Sequence, residues 1–188
     1  MKLVSVFTES HRVLKDEWFL PSLADDFDLD IRFCPEKGGA FLEDSWTKSV
    51  MFKTKTVIDV IKEMWGKVFV FADVDIQFFA PVQDMLLRCL EGYDIACQRD
   101  DPNGYLCSGF WVARANRNVL RLFELVYECE KVENREQMAF NRNLRMSQRR
   151  RLLYFLKHRV WPCRYAYLPD IFYGGGTITR KHWGGGLG

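Results

Sequence analysis

An apolar run, Val68-Phe-Val-Phe-Ala72, breaks abruptly into two carboxylates, Asp73 and Asp75. The run is too short for a helix and reads as a strand buried on both faces, as at the centre of a parallel sheet. In such sheets ligands gather at the carboxyl ends of the strands. Two acids placed there are positioned to hold a divalent cation against a phosphorylated ligand.

The spacing alone carries little weight, because a chain with 14 Asp acquires an Asp-x-Asp by chance, and Asp28-Leu-Asp30 is a second copy. No strand precedes that copy, and it reads as a solvated turn. For Asp73 and Asp75 the bland alternative is a polar strand exit before a helix. The strand in front of them turns the balance toward a site.

A length of 188 residues and 48% hydrophobic content fit one domain with a single core, with or without a small appendage. The net charge of +2 offers no global field for nucleic acid or a membrane surface. Six cysteines show neither Cys-x-x-Cys spacing nor closely spaced histidine partners, which argues against structural zinc. Buried free thiols in a reducing compartment are expected instead. The amino terminus lacks a signal-peptide core and no apolar run is long enough to span a bilayer, so a soluble cytoplasmic protein is expected.

Leu3–Phe7 reads as a first strand and Thr8 to His11 as a polar, ligand-facing loop. Apolar residues at helical spacing follow over Val13–Leu23, then a turn over 25–30 and a short strand at Ile31–Phe33. From Ser45 as amino-terminal cap, Trp46, Val50, Val57, Ile58, Ile61, Met64 and Trp65 describe an amphipathic helix ending at Gly66. Beyond the acidic strand come a helix near 84–90, strands over 94–97 and 109–113, and a helix capped by Asn116. Asn134 with Gln137 forms a capping box for the next helix. A basic helix over 147–158 and a final strand at 165–168 follow. Strands alternating with helices at this spacing mean an α/β layer fold. The segment 174–188, with seven glycines in 15 residues, is expected to be mobile, ordered by a ligand, or a truncation point.

Five segments in order resemble the nucleotide-diphospho-sugar transferases of the GT-A fold, including plant xylosyl- and arabinosyltransferase relatives and virus-encoded glycosyltransferases. They are Lys53-Thr-Lys55 leading into Val68–Phe79; Asp94-Ile-Ala-Cys-Gln98; Ser108-Gly-Phe-Trp-Val112; Glu136-Gln-Met-Ala-Phe-Asn141; and Leu168-Pro-Asp-Ile-Phe172. The resemblance implies a Rossmann-like catalytic domain over 1–173 with a largely parallel sheet flanked by helices. It implies transfer of a hexosyl or pentosyl group from a nucleotide diphosphate sugar, most readily a UDP-sugar, to a carbohydrate acceptor hydroxyl.

A Mn²⁺ or Mg²⁺ ion held by carboxylates would neutralise the diphosphate in binding and departure. By resemblance, Asp75 ligates the metal and Asp73 shares it or holds the ribose, with Val74 between them and Thr8 on the first loop facing the donor. Lys53 or Lys55 adds positive charge near the diphosphate or contacts the base. Gln98 and Asp100 are placed for sugar hydroxyls, or are ordinary loop residues. Ser108-Gly109 corresponds to backbone passing close to the donor sugar, although Cys107 stands where the family usually has Asn. Glu136-Gln137 corresponds to an Asp-Gln pair near the reacting carbon, with Glu136 as base or cation stabiliser; Gln137 has the capping role as its alternative. By the same resemblance His182 is the candidate carboxyl-terminal metal ligand, with a residue outside this chain as the alternative.

Arg149 to Arg151 with Lys157 and Arg159 reads as a solvated basic face, with an anionic acceptor or nucleic acid as the alternative; no nucleic-acid module accompanies it. His11 and His158 read as structural, and Trp18, Trp46, Trp65 and Trp111 as chiefly core, with a place in a sugar pocket as the alternative for one of them. A haloacid-dehalogenase-type phosphatase using Asp73 is the rival enzyme class, but that chemistry normally uses the first strand and follows the motif with Thr or Ser. A nucleotide-sugar-binding module without turnover is the non-enzymatic alternative.

Overall fold

Six strands form one sheet in the computed structural model, which describes residues 1–36, 43–133, 135–146 and 148–172. They are β1 (Lys2–Phe7), β2 (Asp28–Phe33), β3 (Val68–Ala72), β4 (Ile95–Arg99), β5 (Leu106–Arg114) and β6 (Tyr165–Tyr167), in the order β2-β1-β3-β5-β4-β6. Only β5 runs against the others. Helices α1 (Leu20–Ser22), α2 (Asp44–Glu63), α3 (Gln83–Cys89), α4 (Arg117–Glu133), α5 (Glu136–Leu144) and α6 (Gln148–His158) connect them. The expected α/β fold with a largely parallel sheet is what forms.

The central strand β3 is apolar on every residue because helices cover both faces of the sheet there. Alternation sends Phe69 and Phe71 of β3, with Trp111 and Ala113 of β5, into a core shared with Val57 and Ile61 of α2 and Phe123 of α4. Val70, Ala72, Phe110 and Val112 face the opposite way, onto Phe19, Phe78 and Leu86 of α3. Phe71 and Trp111 are register partners whose rings stack with centroids 5.3 Å apart. The buried indole is satisfied, donating from Nε1 to the Ser108 carbonyl at 3.1 Å.

Several boundaries differ from expectation. Asp28-Leu-Asp30 is no turn: it belongs to β2, which pairs along its full length with β1. Its acids suit an exposed edge, where Lys2 meets Asp28 at 3.1 Å and Arg32 meets Asp30 at 2.9 Å. Ser45 does not cap α2; the cap position falls at Glu43, and the Ser45 carbonyl accepts from the Ser49 hydroxyl inside the helix. At the other end Gly66 takes φ +82°, and its N–H bonds Ala115, so the chain turns from α2 into β3. Trp65 beside it is 55% exposed and Trp18 is 43% exposed, whereas Trp111 is core. Asn116 does cap α4, accepting from the Val119 N–H at 2.9 Å. Asn134, the glycine-rich segment and His182 lie outside the described residues.

Candidate active site

At the carboxyl ends of β1 and β3 lies a cleft of about 650 Å³. Asp73, the first residue beyond β3, is held in place by its own N–H, which donates to the Gly109 carbonyl at 2.7 Å. The chain turns at once, with the Ile76 N–H returning to the Asp73 carbonyl at 3.1 Å, and Asp73 and Asp75 both face the cleft. On the opposite wall, Glu136 stands at the first turn of α5, buried at 7% exposure.

Lys53 joins the two walls. Its Nζ lies 3.0 Å from Asp73 Oδ2 and 3.6 Å from Glu136 Oε1. Burial alone would discharge this amine, but the two carboxylates outweigh it and raise the pKa, so the ammonium stays charged. The ammonium also lies 5.1 Å from the centre of the Phe71 ring. Glu136 accepts from the Ser108 hydroxyl at 3.0 Å, and burial, opposed by Lys53, raises its pKa. Gln137 extends the chain of contacts, accepting from Ser108 at 3.3 Å and donating to Asp100 at 2.9 Å.

Among the described residues Asp75 forms no ion pair. Crowding at the cleft rim, and then the charge of Asp73, push its carboxyl up to about 6. Its open side faces solvent, which limits that rise. Two oxygen-donor carboxylates in mutual repulsion have the chemistry to hold a hard divalent cation. Among the described residues no third His, Cys, Asp or Glu joins them. Behind the cleft, Glu130 of α4 is buried at 1% exposure and accepts from the Thr54 hydroxyl at 2.6 Å. Burial pushes this carboxyl to about 8, so it is largely neutral at pH 7.

The sequence profile of the nucleotide-diphospho-sugar transferases matches residues 27–183. The chain belongs to that family. Solved structures agree at the level of the fold. A glycosyltransferase involved in glycosylation of the major capsid of PBCV-1 superposes with a TM-score of 0.55 at 8% identity, over 97% of this chain and 89% of that one. The apo-form glycosyltransferase GlyE of Streptococcus pneumoniae TIGR4 gives a TM-score of 0.55 at 13% identity, over 97% of this chain and 49% of that one. The fold is that of the GT-A glycosyltransferases. No curated protein sequence matches the chain significantly.

For this nucleotide-diphospho-sugar transferase, the cleft gathers Thr8, Lys53, Asp73, Val74 and Asp75 with Ser108, Gly109, Glu136 and Gln137. Lys55 points elsewhere: two residues from Lys53 on α2 is more than half a turn, and it is solvent-exposed. Gln98 does not line the cleft either, being engaged with the Phe172 carbonyl. Asp100 reaches it only through Gln137. Gln137 bonds Ser108 and Asp100, and the cap position of α5 falls at Arg135; Asn134, its expected capping partner, lies outside the described residues.

Trp46 is the tryptophan that lines the cleft, while Ser49 and Val50 were not expected there; with Lys53 these three form one helical stripe, continuous with the stripe of Val57, Val60 and Ile61 that enters the core. Periodicity identifies the inward face of α2 without distinguishing its cleft half from its core half. His11 also lines the cleft, with Nδ1 2.9 Å from Thr8 Oγ1, three residues away in the first loop. Cys107 lies in the wall, but burial pushes its thiol to about 12, so it is no nucleophile near neutral pH.

Proposed function

We propose that this transferase moves a hexosyl or pentosyl group from a UDP-sugar to a carbohydrate hydroxyl, aided by Mn²⁺ or Mg²⁺. The observation that carries the reading is the pairing of Asp73 and Asp75 at the exit of β3 with a permanently charged Lys53 across the same cleft. In it, Asp73 and Asp75 would hold the cation, which would supply Lewis-acid neutralisation of the diphosphate.

The chain's own groups do the rest. Lys53, already oriented and charged, offers fixed positive potential to the developing negative charge of the leaving group without reorganising. Glu136, tied to Ser108 and raised by burial toward neutrality, is poised to take a proton from an acceptor hydroxyl or to face a cationic sugar. Gln137 holds Asp100, which presents its other carboxylate oxygen to sugar hydroxyls at the rim, and Thr8 and Val74 border the donor. Residues 1–173 form the catalytic unit in this reading. Six free thiols suit a reducing compartment such as the cytoplasm. Family membership leaves the phosphatase alternative without support.

Thermal-shift screening of nucleotide sugars with and without Mn²⁺ tests the proposal. A cognate donor at 100 times its dissociation constant adds about 2.7 kcal/mol of stability. A shift with UDP-sugars that depends on Mn²⁺, accompanied by release of UDP, is expected. The same shift without turnover would identify a binding module, and no shift with any nucleotide sugar would end the proposal.

Gly109 offers a sharper check on geometry. A Cβ there would stand 2.5 Å from Asp73 Oδ2 and 3.3 Å from its Cγ, so the carboxylate must swing aside. Gly109→Ala is expected to lower donor turnover by about 10–100-fold, the range for disturbing a metal ligand through its surroundings, and to lower the unfolding temperature as well, because the displaced Oδ2 is the atom paired with Lys53. Wild-type turnover in this variant would show that the orientation of Asp73 is immaterial.

A further inference from the structure

The basic helix α6 is used neither by the cleft nor by the core on its outer side. Tyr154 of α6 is buried, while Leu152, Leu153 and Leu156 are 53%, 56% and 52% exposed. Their spacing gathers them on the side opposite Tyr154. Just past the helix, Trp161 is 52% exposed and stacks on Phe155 with ring centroids 4.3 Å apart. Arg149, Arg150, Lys157 and Arg159 are exposed around these residues.

The charge is concentrated here far beyond the average of the chain. The 33 residues from Gln137 to Pro169 hold eight Lys and Arg and no Asp or Glu, although the whole chain nets only +2. An exposed leucine ridge set among cations, with an aromatic at its end, has the chemistry of a helix that lies in a bilayer interface. We propose that the outer face of α6 docks on an anionic lipid surface, with Leu152, Leu153, Leu156 and Trp161 entering the headgroup boundary and the arginines and lysine meeting lipid phosphates.

Other occupants fit less well. Nucleic acid would engage the cations and leave three leucines in water. A two-fold contact with a second copy would bring two strongly positive faces together. The segment 173–188 carries Arg180 and Lys181 without an acid, so it is repelled by the same charge.

Co-sedimentation of the full chain with vesicles decides the matter. Vesicles of phosphatidylcholine mixed with phosphatidylglycerol are expected to carry the protein down, in a manner reversed by high salt; vesicles of phosphatidylcholine alone are not. The triple change Leu152→Ser, Leu153→Ser, Leu156→Ser is expected to abolish sedimentation while preserving the unfolding temperature and donor turnover in solution. The pair Arg149→Ser and Lys157→Ser is expected to weaken it by about fivefold per residue. Failure of the wild-type chain to sediment overturns the proposal, as does sedimentation indifferent to the leucines. A concentration-dependent dimer lost in the leucine variant, or a gel shift of duplex DNA without vesicle binding, overturns it equally.

Discussion

Asp75→Ala is expected to reduce donor turnover by about a thousandfold or more, the equivalent of the several kcal/mol that a bound cation contributes to a departing diphosphate. Stability should not fall. Asp75 is crowded by the cleft rim and by the charge of Asp73, which raise its carboxyl from 3.8 in the unfolded chain to about 6. A raised acid withdraws stability as pH rises through that window, because the folded protein holds a proton that the unfolded chain has released. In metal-free buffer the alanine variant therefore gains on the wild type between about pH 4 and about pH 6 and keeps the advantage above. With Mn²⁺ present the order reverses, since only the wild type gains by binding it, and that gain shrinks as pH falls below about 6. Thermal melts across pH, with and without Mn²⁺, measure both signs. Undiminished Mn²⁺-stimulated turnover in the variant would refute the role assigned to this carboxylate.

Lys53→Met is expected to have the opposite signature, a direct loss of stability. Methionine keeps a long apolar stem against Phe71, so the change isolates the charge. Removing the ammonium leaves Glu136, which is almost fully enclosed, and Asp73 beside it without their counter-charge. Breaking a buried pair from one side costs about 3–5 kcal/mol, and solvent access to Asp73, whose side chain is 34% exposed, places this case toward the lower figure. Urea denaturation in metal-free buffer reads the loss. Mn²⁺ should recover part of it by supplying another cation to Asp73, while turnover stays depressed because the fixed charge beside the leaving group is gone. An unfolding midpoint equal to the wild type would mean that the Lys53 bridge between the two walls is not formed.

The two outcomes together separate the proposed metal ion, expected to arrive with the donor, from Lys53, which is built into α2 and bridges Asp73 and Glu136.

Much of this was readable from local pattern. The run Val68–Ala72 had to be a strand covered on both faces because it has no polar side, and its exit into Asp73 and Asp75 located the cleft. Five ordered segments identified the family, and Asn116 announced the start of α4. Local pattern failed where identical signals serve different neighbours. The stripe of α2 reads as one apolar face, yet Trp46 and Val50 border the cleft while Val57 and Ile61 fill the core. Lys53 and Lys55 are equivalent as letters, and only the rotation of α2 against β3 turns one between two carboxylates and the other into water. Gln137 satisfies a capping spacing, but Ser108 and Asp100, brought to it by β5 and the loop after β4, take its amide. Periodicity reports which side of an element is covered, because burial requires it. What does the covering depends on residues distant in the chain, and only their packing sets that.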